Sequence, residues 1–354
     1  ANGNLPALLD IPIASGTGDR PVGTGPYVLS ETDGGLALAA RSGWWQGKAL
    51  PVQTIRLTAA SRSEDLVSSF SAGDIGLVDV DLMGTNAPGY SGSYQTWDYA
   101  AILSTILLVF GSAMGSYPVP HYLGLNTQSG LCRAPEVRQA IARAIDRTSI
   151  VQVDFARHAV AAGLPVHPSS PLYNAAQAGT LGYSPQQSQA ALEQLRLTGR
   201  SVTLVVNTEN TAKVSAAQRI AAQLEAVGLT VHLSRLSYDS YVSALAAGNF
   251  DLYLGQVTLT GDFDLAPLLS SSGSLNYGRW QDALGDALLS AFQSAQGEAR
   301  AKAAADLFAY LNQQAPIVPV CFKNGSVLTP WSRLSGLSPV RGNVFYQLEN
   351  WKLS

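Results

Sequence analysis

Residues 201–257 constrain the fold of this chain more than any other stretch, because strand and helix periods alternate there without a break. Ser201 to Asn207 reads as a strand, and Ala212 to Val227 as a helix with Val214, Ile220, Leu224 and Val227 turned inward. Gly228 is the stop signal, Thr230 to Leu236 the next strand, Tyr241 to Ala247 a second helix and Asp251 to Val257 a third strand. Such a β-α-β-α-β series indicates an open sheet covered by helices. Upstream lie a strand at Tyr122 to Asn126 and a helix opening near Pro135. In that helix Val137, Ile141, Ala144 and Ile145 share one face, with Arg138, Arg143 and Arg147 largely off it. Downstream come helices near Asp282 to Ser294 and Glu298 to Gln313, then extended segments at Ile317 to Lys323, Val327 to Pro330 and Val344 to Leu348.

The first stretch is strand-rich. Pro26 to Ser30 and Leu36 to Ala40 flank Asp33-Gly34-Gly35, a glycine turn of the kind that closes a hairpin. Thr54 to Ala59 is a short strand. Ser61 and Glu64 have the spacing of a capping box for a helix that runs to Ala72 and stops at Gly73. Ile75 to Leu82 alternates as the following strand, so two strands around this helix are expected to be parallel.

At 354 residues the chain has the length of about two domains. Its 22 Lys and Arg against 25 Asp and Glu leave a net charge of −3 with no basic block, which argues against nucleic acid as a partner. The apolar run from Tyr99 to Phe110 is interrupted by Ser104 and Thr105 and falls short of the ~20 residues of a membrane helix. Ala1 to Pro6 has neither a charged nor an apolar leader segment, so any signal or lipid anchor is expected to have been removed or to lie upstream. Cys132 and Cys321 are the only cysteines; they make no CxxC motif and leave a long-range disulfide and two buried thiols both open.

Catalytic patterns are missing. His121, His158, His167 and His232 are scattered and form no HExxH pair, so no metal site is expected. The nearest approach to a GxSxG elbow, Gly89 to Ser93, fails at its last position. Gly23-Thr24-Gly25-Pro26 lacks the third glycine of a dinucleotide fingerprint and leads into a strand, so it is a turn and no cofactor is implied. What remains is suited to binding. Asp262 and Asp264 follow the strand Asp251 to Val257, on the side where open α/β sheets take ligands. A carboxylate there could hold an amine through a charge-assisted bond of ~1.5–3 kcal/mol, or simply form an Asx turn. Asn276, Tyr277 and Trp280 follow this cluster and have the mixed aromatic and polar character of a cleft. Trp44 and Trp45 read as structural.

Several stretches together resemble one family. Pro21-Val22-Gly23-Thr24-Gly25-Pro26-Tyr27, the Trp44-Trp45 pair and the Gly73-Asp74-Ile75 turn are similar, in order, to motifs of the family 5 (peptide/nickel class) extracytoplasmic solute-binding proteins of ABC importers. So are Tyr122 to Thr127, Val137 to Ile141 with Ala144 to Arg147, and Pro316 to Val320. The match resembles only the later two-thirds of a family member, and Leu8 to Ile13 looks like a point part-way through a first lobe.

The resemblance implies a periplasmic-binding-protein-like (type II) α/β fold of two lobes joined by crossing strands. The first lobe would comprise residues 1–126 and 323–354 and the second 127–322, with Asn126 and Lys323 at the hinge. It implies a monomeric, non-enzymatic, extracytoplasmic protein, lipid-anchored in its full-length form, that passes short peptides or another small solute to a membrane permease. Asp262 aligns with the acidic residue that receives a peptide's α-amino group. The family's Trp three residues earlier is here Leu259, and Asp264-Leu265 replaces its Asp-Pro. A ligand-sensing domain of a transcription regulator on the same fold is the alternative.

Overall fold

A six-stranded mixed sheet carries most of the core, and it draws its strands from chain segments nearly two hundred residues apart. The computed structural model describes residues 14–15, 22–33, 35–84, 89–90, 92–100, 119–128, 130–340 and 343–354. Pro21, Gly34, Ser91, the run 101–110 and Leu8 to Ile13 lie outside the described residues.

In chain order the first elements are β1 (Tyr27–Thr32), β2 (Gly35–Ala40), β3 (Thr54–Arg56), α1 (Ser63–Ala72), β4 (Val78–Val80) and β5 (Tyr94–Tyr99). Next come β6 (Val119–Leu125), α2 (Pro135–Ala144), β7 (Ala159–Ala161), α3 (Pro185–Gln194), β8 (Ser201–Asn207) and α4 (Thr211–Ala226). The last are β9 (Thr230–Leu236), α5 (Tyr238–Ala247), β10 (Leu252–Gln256), α6 (Ala283–Ser294), α7 (Gly297–Gln314), β11 (Ile317–Lys323) and β12 (Gly325–Pro330).

The large sheet has the order β9-β8-β10-β6-β11-β7. β8 runs parallel to both β9 and β10, as helical crossovers require, whereas β6 lies antiparallel to both β10 and β11. Alternation along the strands divides the core between the two faces. Leu123, Leu125, Leu204, Leu252, Leu254 and Val318 pack with α2 and α4 on one face. Tyr122, Val205, Tyr253 and Phe322 point the other way, onto residues of α5, α6 and α7. Burial on both faces explains why these strands read as nearly continuous apolar runs.

Local chemistry fixes the helix ends. Asn210 caps α4 by accepting from Lys213 N at 3.0 Å, Asp282 caps α6 through Gly285 N at 2.7 Å, and Gly248 ends α5 at φ 77°. Pro135 occupies the first turn of α2 as expected. The capping box at Ser61 does not form: Arg62 is the N-cap of α1, and its side chain bonds Asp65 instead of capping the backbone.

A three-stranded antiparallel sheet, β4-β12-β5, and the separate meander β1-β2-β3 make up the rest, with two short ladders at 14–15/22–23 and 334–335/352–353. Two expectations change here. β3 and β4 fall in different sheets, so they are not the parallel pair of a β-α-β unit. The 344–348 segment is a turn leading into a 3-10 helix over Leu348–Asn350. β6, just before the expected lobe boundary at 126, has neighbours on both sides in the large sheet.

Two of the three arginines expected off the apolar face of the helix that opens near Pro135, Arg138 and Arg147, are buried. Arg138 donates to Gln314 O at 2.8 Å, Cys132 O at 2.9 Å and Arg133 O at 2.7 Å. Arg147 donates to Pro319 O at 2.8 Å and Leu181 O at 3.2 Å. Each satisfies carbonyls that a neighbouring segment leaves unpaired, which makes a buried guanidinium tolerable. Cys132 and Cys321 are buried free thiols, so the disulfide alternative is not realised.

Candidate functional site

The register brings several strand ends to one end of the large sheet. Gln256 at the carboxyl end of β10 pairs with His121 near the start of β6, and Val119 pairs with Lys323 at the finish of β11. From Lys323 the chain enters β12 of the small sheet after one residue, Asn324. The carboxyl ends of β8 and β10 therefore face the place where the chain crosses between sheets. Asn210, just beyond β8, reinforces this by donating to Met83 O, beyond β4, at 3.0 Å.

A cavity of about 470 Å³ lies at that end, on the face covered by α5. This is the size range of small-molecule pockets. Five tyrosines line it: Tyr122 of β6, Tyr253 of β10, Tyr238 and Tyr241 of α5, and Tyr277 of the loop before α6. Two are set by a repeated tripeptide. Tyr122-Leu123-Gly124 and Tyr253-Leu254-Gly255 pair antiparallel, so each tyrosine stands opposite the other strand's glycine. A Cβ on either glycine would run into the opposing ring. The two rings meet edge to face at 5.7 Å. Burial pushes Tyr122 up to about 12 and raises Tyr241 and Tyr253 as well, which keeps these three phenols neutral.

One cation lies in this wall. Lys213, in the first turn of α4, is 3% exposed; its Nζ donates to Asn207 Oδ1 at 2.6 Å and sits 4.8 Å from the centre of the Tyr241 ring. Burial lowers its ammonium to about 7, with the charge of Glu209 working the other way. Glu209 also lines the cavity, but its oxygens accept from Asn207 Nδ2 at 2.8 Å and from Tyr238 N at 2.7 Å.

Of the residues singled out in the sequence, Tyr277 is in this wall. Asp264 accepts from Ala266 N at 2.9 Å, the Asx-turn geometry, and from Gln293 Nε2. Asp262 is buried in the same loop, its carbonyl oxygen accepting from Arg300 Nη2 and its charge supporting the Arg300 guanidinium. Asn276 closes its own loop through Ser270 O at 3.0 Å and Trp280 O at 2.7 Å, and Trp280 is buried against Tyr310. These four are not among the residues that line the cavity.

Lys323, one of the two residues expected at a hinge, lies where the chain crosses between the sheets, with its Nζ bonded to Asp81, one residue past β4. Asn126 does not. It follows the opposite end of β6, roughly 20 Å away at ~3.3 Å per residue, where it donates to Gly248 O and Phe250 O, both at 3.1 Å. It is an anchor for the loop before β10. Trp44 and Trp45 both donate to Thr24 O, at 3.1 and 3.0 Å, which braces the Gly23 to Tyr27 loop.

Lys213, Tyr122 and Tyr253 are not among the ligand-site candidates that the sequence offers. The repeated Tyr-Leu-Gly was the available signal for the tyrosines; a lysine in a first helical turn gives none, since most such lysines are solvated. Among the described residues no group of three His, Cys, Asp or Glu could hold a metal ion, and no helix is long and apolar enough to cross a membrane.

This arrangement, a large mixed sheet and a smaller sheet with a cavity turned towards the crossing between them, is that of a two-lobed α/β fold. Residues 5–277 match the family described as bacterial extracellular solute-binding proteins, family 5, and this chain belongs to that family. It is 27% identical to the probable ABC transporter periplasmic-binding protein SapA of Escherichia coli K12, over 89% of this chain and 59% of that protein. It is 24% identical to the periplasmic murein peptide-binding protein MppA of the same organism, over 88% and 57%. The chain thus spans less than two-thirds of the length of these relatives. Among solved structures, HbpA2 from Haemophilus parasuis superposes with a TM-score of 0.71 at 20% identity, covering 95% of this chain and 65% of that one. These structures carry the type II periplasmic-binding-protein fold.

Proposed function

We propose that this chain is the ligand-capturing part of the substrate-binding component of an ABC importer, and that its ligands are short peptides. It works outside the cytoplasm as a monomer, lipid-anchored in the whole protein, and delivers its ligand to a membrane permease. It binds without catalysing a reaction and has no nucleic-acid partner. Closure would turn on the crossing at Lys323 to Gly325 and bury the ligand between the lobes, as in other hinged binding proteins.

The observation that carries this reading is the tyrosine-lined cavity at the end of the sheet that faces the crossing. Phenol rings offer apolar area together with hydroxyls, which suits a peptide backbone with varied side chains. Tyr277, the member of this wall already marked in the sequence, is assigned to ligand contact. Asp262, Asp264, Asn276 and Trp280 are assigned to holding their own loops. MppA of Escherichia coli is named for murein peptides, and AppA of Bacillus subtilis has been solved with a nonapeptide; both are similar to this chain.

Native mass spectrometry of the purified protein, intact against denatured, tests the reading. Extra masses spaced by amino-acid residues are expected. A bare chain that also retains no added peptides would overturn it, and a non-peptide adduct alone would overturn the peptide assignment.

A further inference from the structure

The cavity wall contains an ammonium group whose bonding capacity is mostly unspent. Lys213 Nζ has three hydrogens to donate, and among the described residues one acceptor, Asn207 Oδ1, takes one of them. No carboxylate lies within ion-pairing distance of it among the described residues. Glu209, the nearest candidate, is turned to Asn207 Nδ2 and Tyr238 N. The Tyr241 ring covers a further side of the ammonium. A buried cation in this state is poorly compensated, because charge removed from water needs both a counter-charge and hydrogen bonds. Burial has already lowered the group to about 7, and an anion placed beside it would restore the charged form.

Resting on the reading of this cavity as the ligand site, we propose that Lys213 is its specificity-determining residue and seats a carboxylate of the ligand. The carboxylate takes a hydrogen of Nζ that Asn207 leaves free. The ligand's body then lies along Tyr122, Tyr253 and Tyr277, and its amino end is free to reach Glu209 at the rim. Recognition would therefore favour a free carboxylate, supplied either by the C-terminus of a peptide or by a small organic acid.

Two tripeptide mixtures of identical sequences, one with free C-termini and one amidated, separate the possibilities when incubated with the protein and read by native mass spectrometry. The free acids are expected to be retained at least about tenfold over the amides, the order of one charge-assisted hydrogen bond. Lys213→Gln, which keeps the bond to Asn207 possible, is expected to erase that preference while amides still bind. Succinate that displaces the free acids would place small organic acids in the same seat. Equal retention of acids and amides by the unaltered protein would overturn the inference and leave the peptide reading standing. Retention of neither would overturn both. The comparison on the unaltered protein decides even where Lys213→Gln fails to fold.

Discussion

Tyr253 lays its ring over Gly124 on the neighbouring strand, and two rungs away Tyr122 covers Gly255 in the same manner. The space for the cavity depends on this exchange. A methyl at Gly124 would collide with the Tyr253 ring, which is 1% exposed and boxed in by Phe250 at 5.2 Å, Tyr122 at 5.7 Å and Tyr277 at 6.4 Å. Gly124→Ala is therefore expected to lower stability by about 1–3 kcal/mol, the range for overpacked cores. It should also push Tyr253 towards the ligand. Urea denaturation and peptide titration of this variant check both effects. A variant that melts and binds like the parent would show that the ring moves freely.

Arg138 belongs to a family motif, yet it lies far from the cavity and ties Gln314 O to Cys132 O and Arg133 O. Its place is the junction of α2 with the end of α7. Arg138→Lys retains the charge but loses the planar fork that reaches several carbonyls at once. A loss of roughly 2–4 kcal/mol is expected, from more than one hydrogen bond to a charged group. Peptide affinity below the melting temperature should be unchanged. A large change in affinity with little change in stability would instead give Arg138 a ligand role.

The contrast between these two positions shows how far the sequence reaches. β8, α4, β9, α5 and β10 lie within a few residues of where periodicity places them, because their stop signals and inward faces are local. Pairing is not local. The neighbours of β6 lie about 130 and 195 residues further on, and no period in residues 119–125 announces them. β3 and β4 were misassigned for the same reason, since strand, helix and strand in succession do not fix a shared sheet. Tyr277 was marked by its polar company, whereas Lys213 acquires its meaning only from Tyr241 and Asn207, which other segments bring to it. Asp264 illustrates the reverse: its spacing fits both a ligand and an Asx turn, and the bond to Ala266 N fixes the turn.

Lys213 also gives stability a dependence on pH. Its ammonium is lowered to about 7 from an ordinary 10.5, so across that window the unfolded chain binds a proton that the folded chain does not. Unfolding free energy then rises with pH, by at most ~1.4 kcal/mol per pH unit, and this contribution is lost as pH falls through 7. Cys132 and Cys321 act in the opposite sense above 9, because burial raises both thiols and the unfolded chain ionises first. The rise should therefore be visible between pH 7 and 9. Urea melts at pH 7, 8 and 9 are expected to show it in the parent and to lose it in Lys213→Met. An unchanged slope in the variant would assign the effect elsewhere.

Lys323 and Asp81 bind the two sheets together where the chain crosses. Lys323 closes β11 and its side chain is 7% exposed, while Asp81, one residue past β4, is 33% exposed. A second link lies beside it: Asp98 of β5 pairs with His158 at 2.9 Å and accepts from Ser326 Oγ at 2.7 Å. Removing Asp81 leaves a buried ammonium without its counter-charge, so Asp81→Asn is expected to destabilise the protein. The effect should fall below the ~3–5 kcal/mol of a fully buried pair, since water reaches the carboxylate. Lys323→Met combined with Asp81→Leu should recover part of that loss, because neither charge then remains to be compensated. If the crossing is the hinge, Asp81→Asn should also broaden the distribution of lobe separations seen by small-angle scattering, and added peptide should narrow it again. A thermodynamic cycle with no coupling between the two positions, together with an unchanged scattering profile, would place the constraint on closure in the Asp98 to His158 link instead.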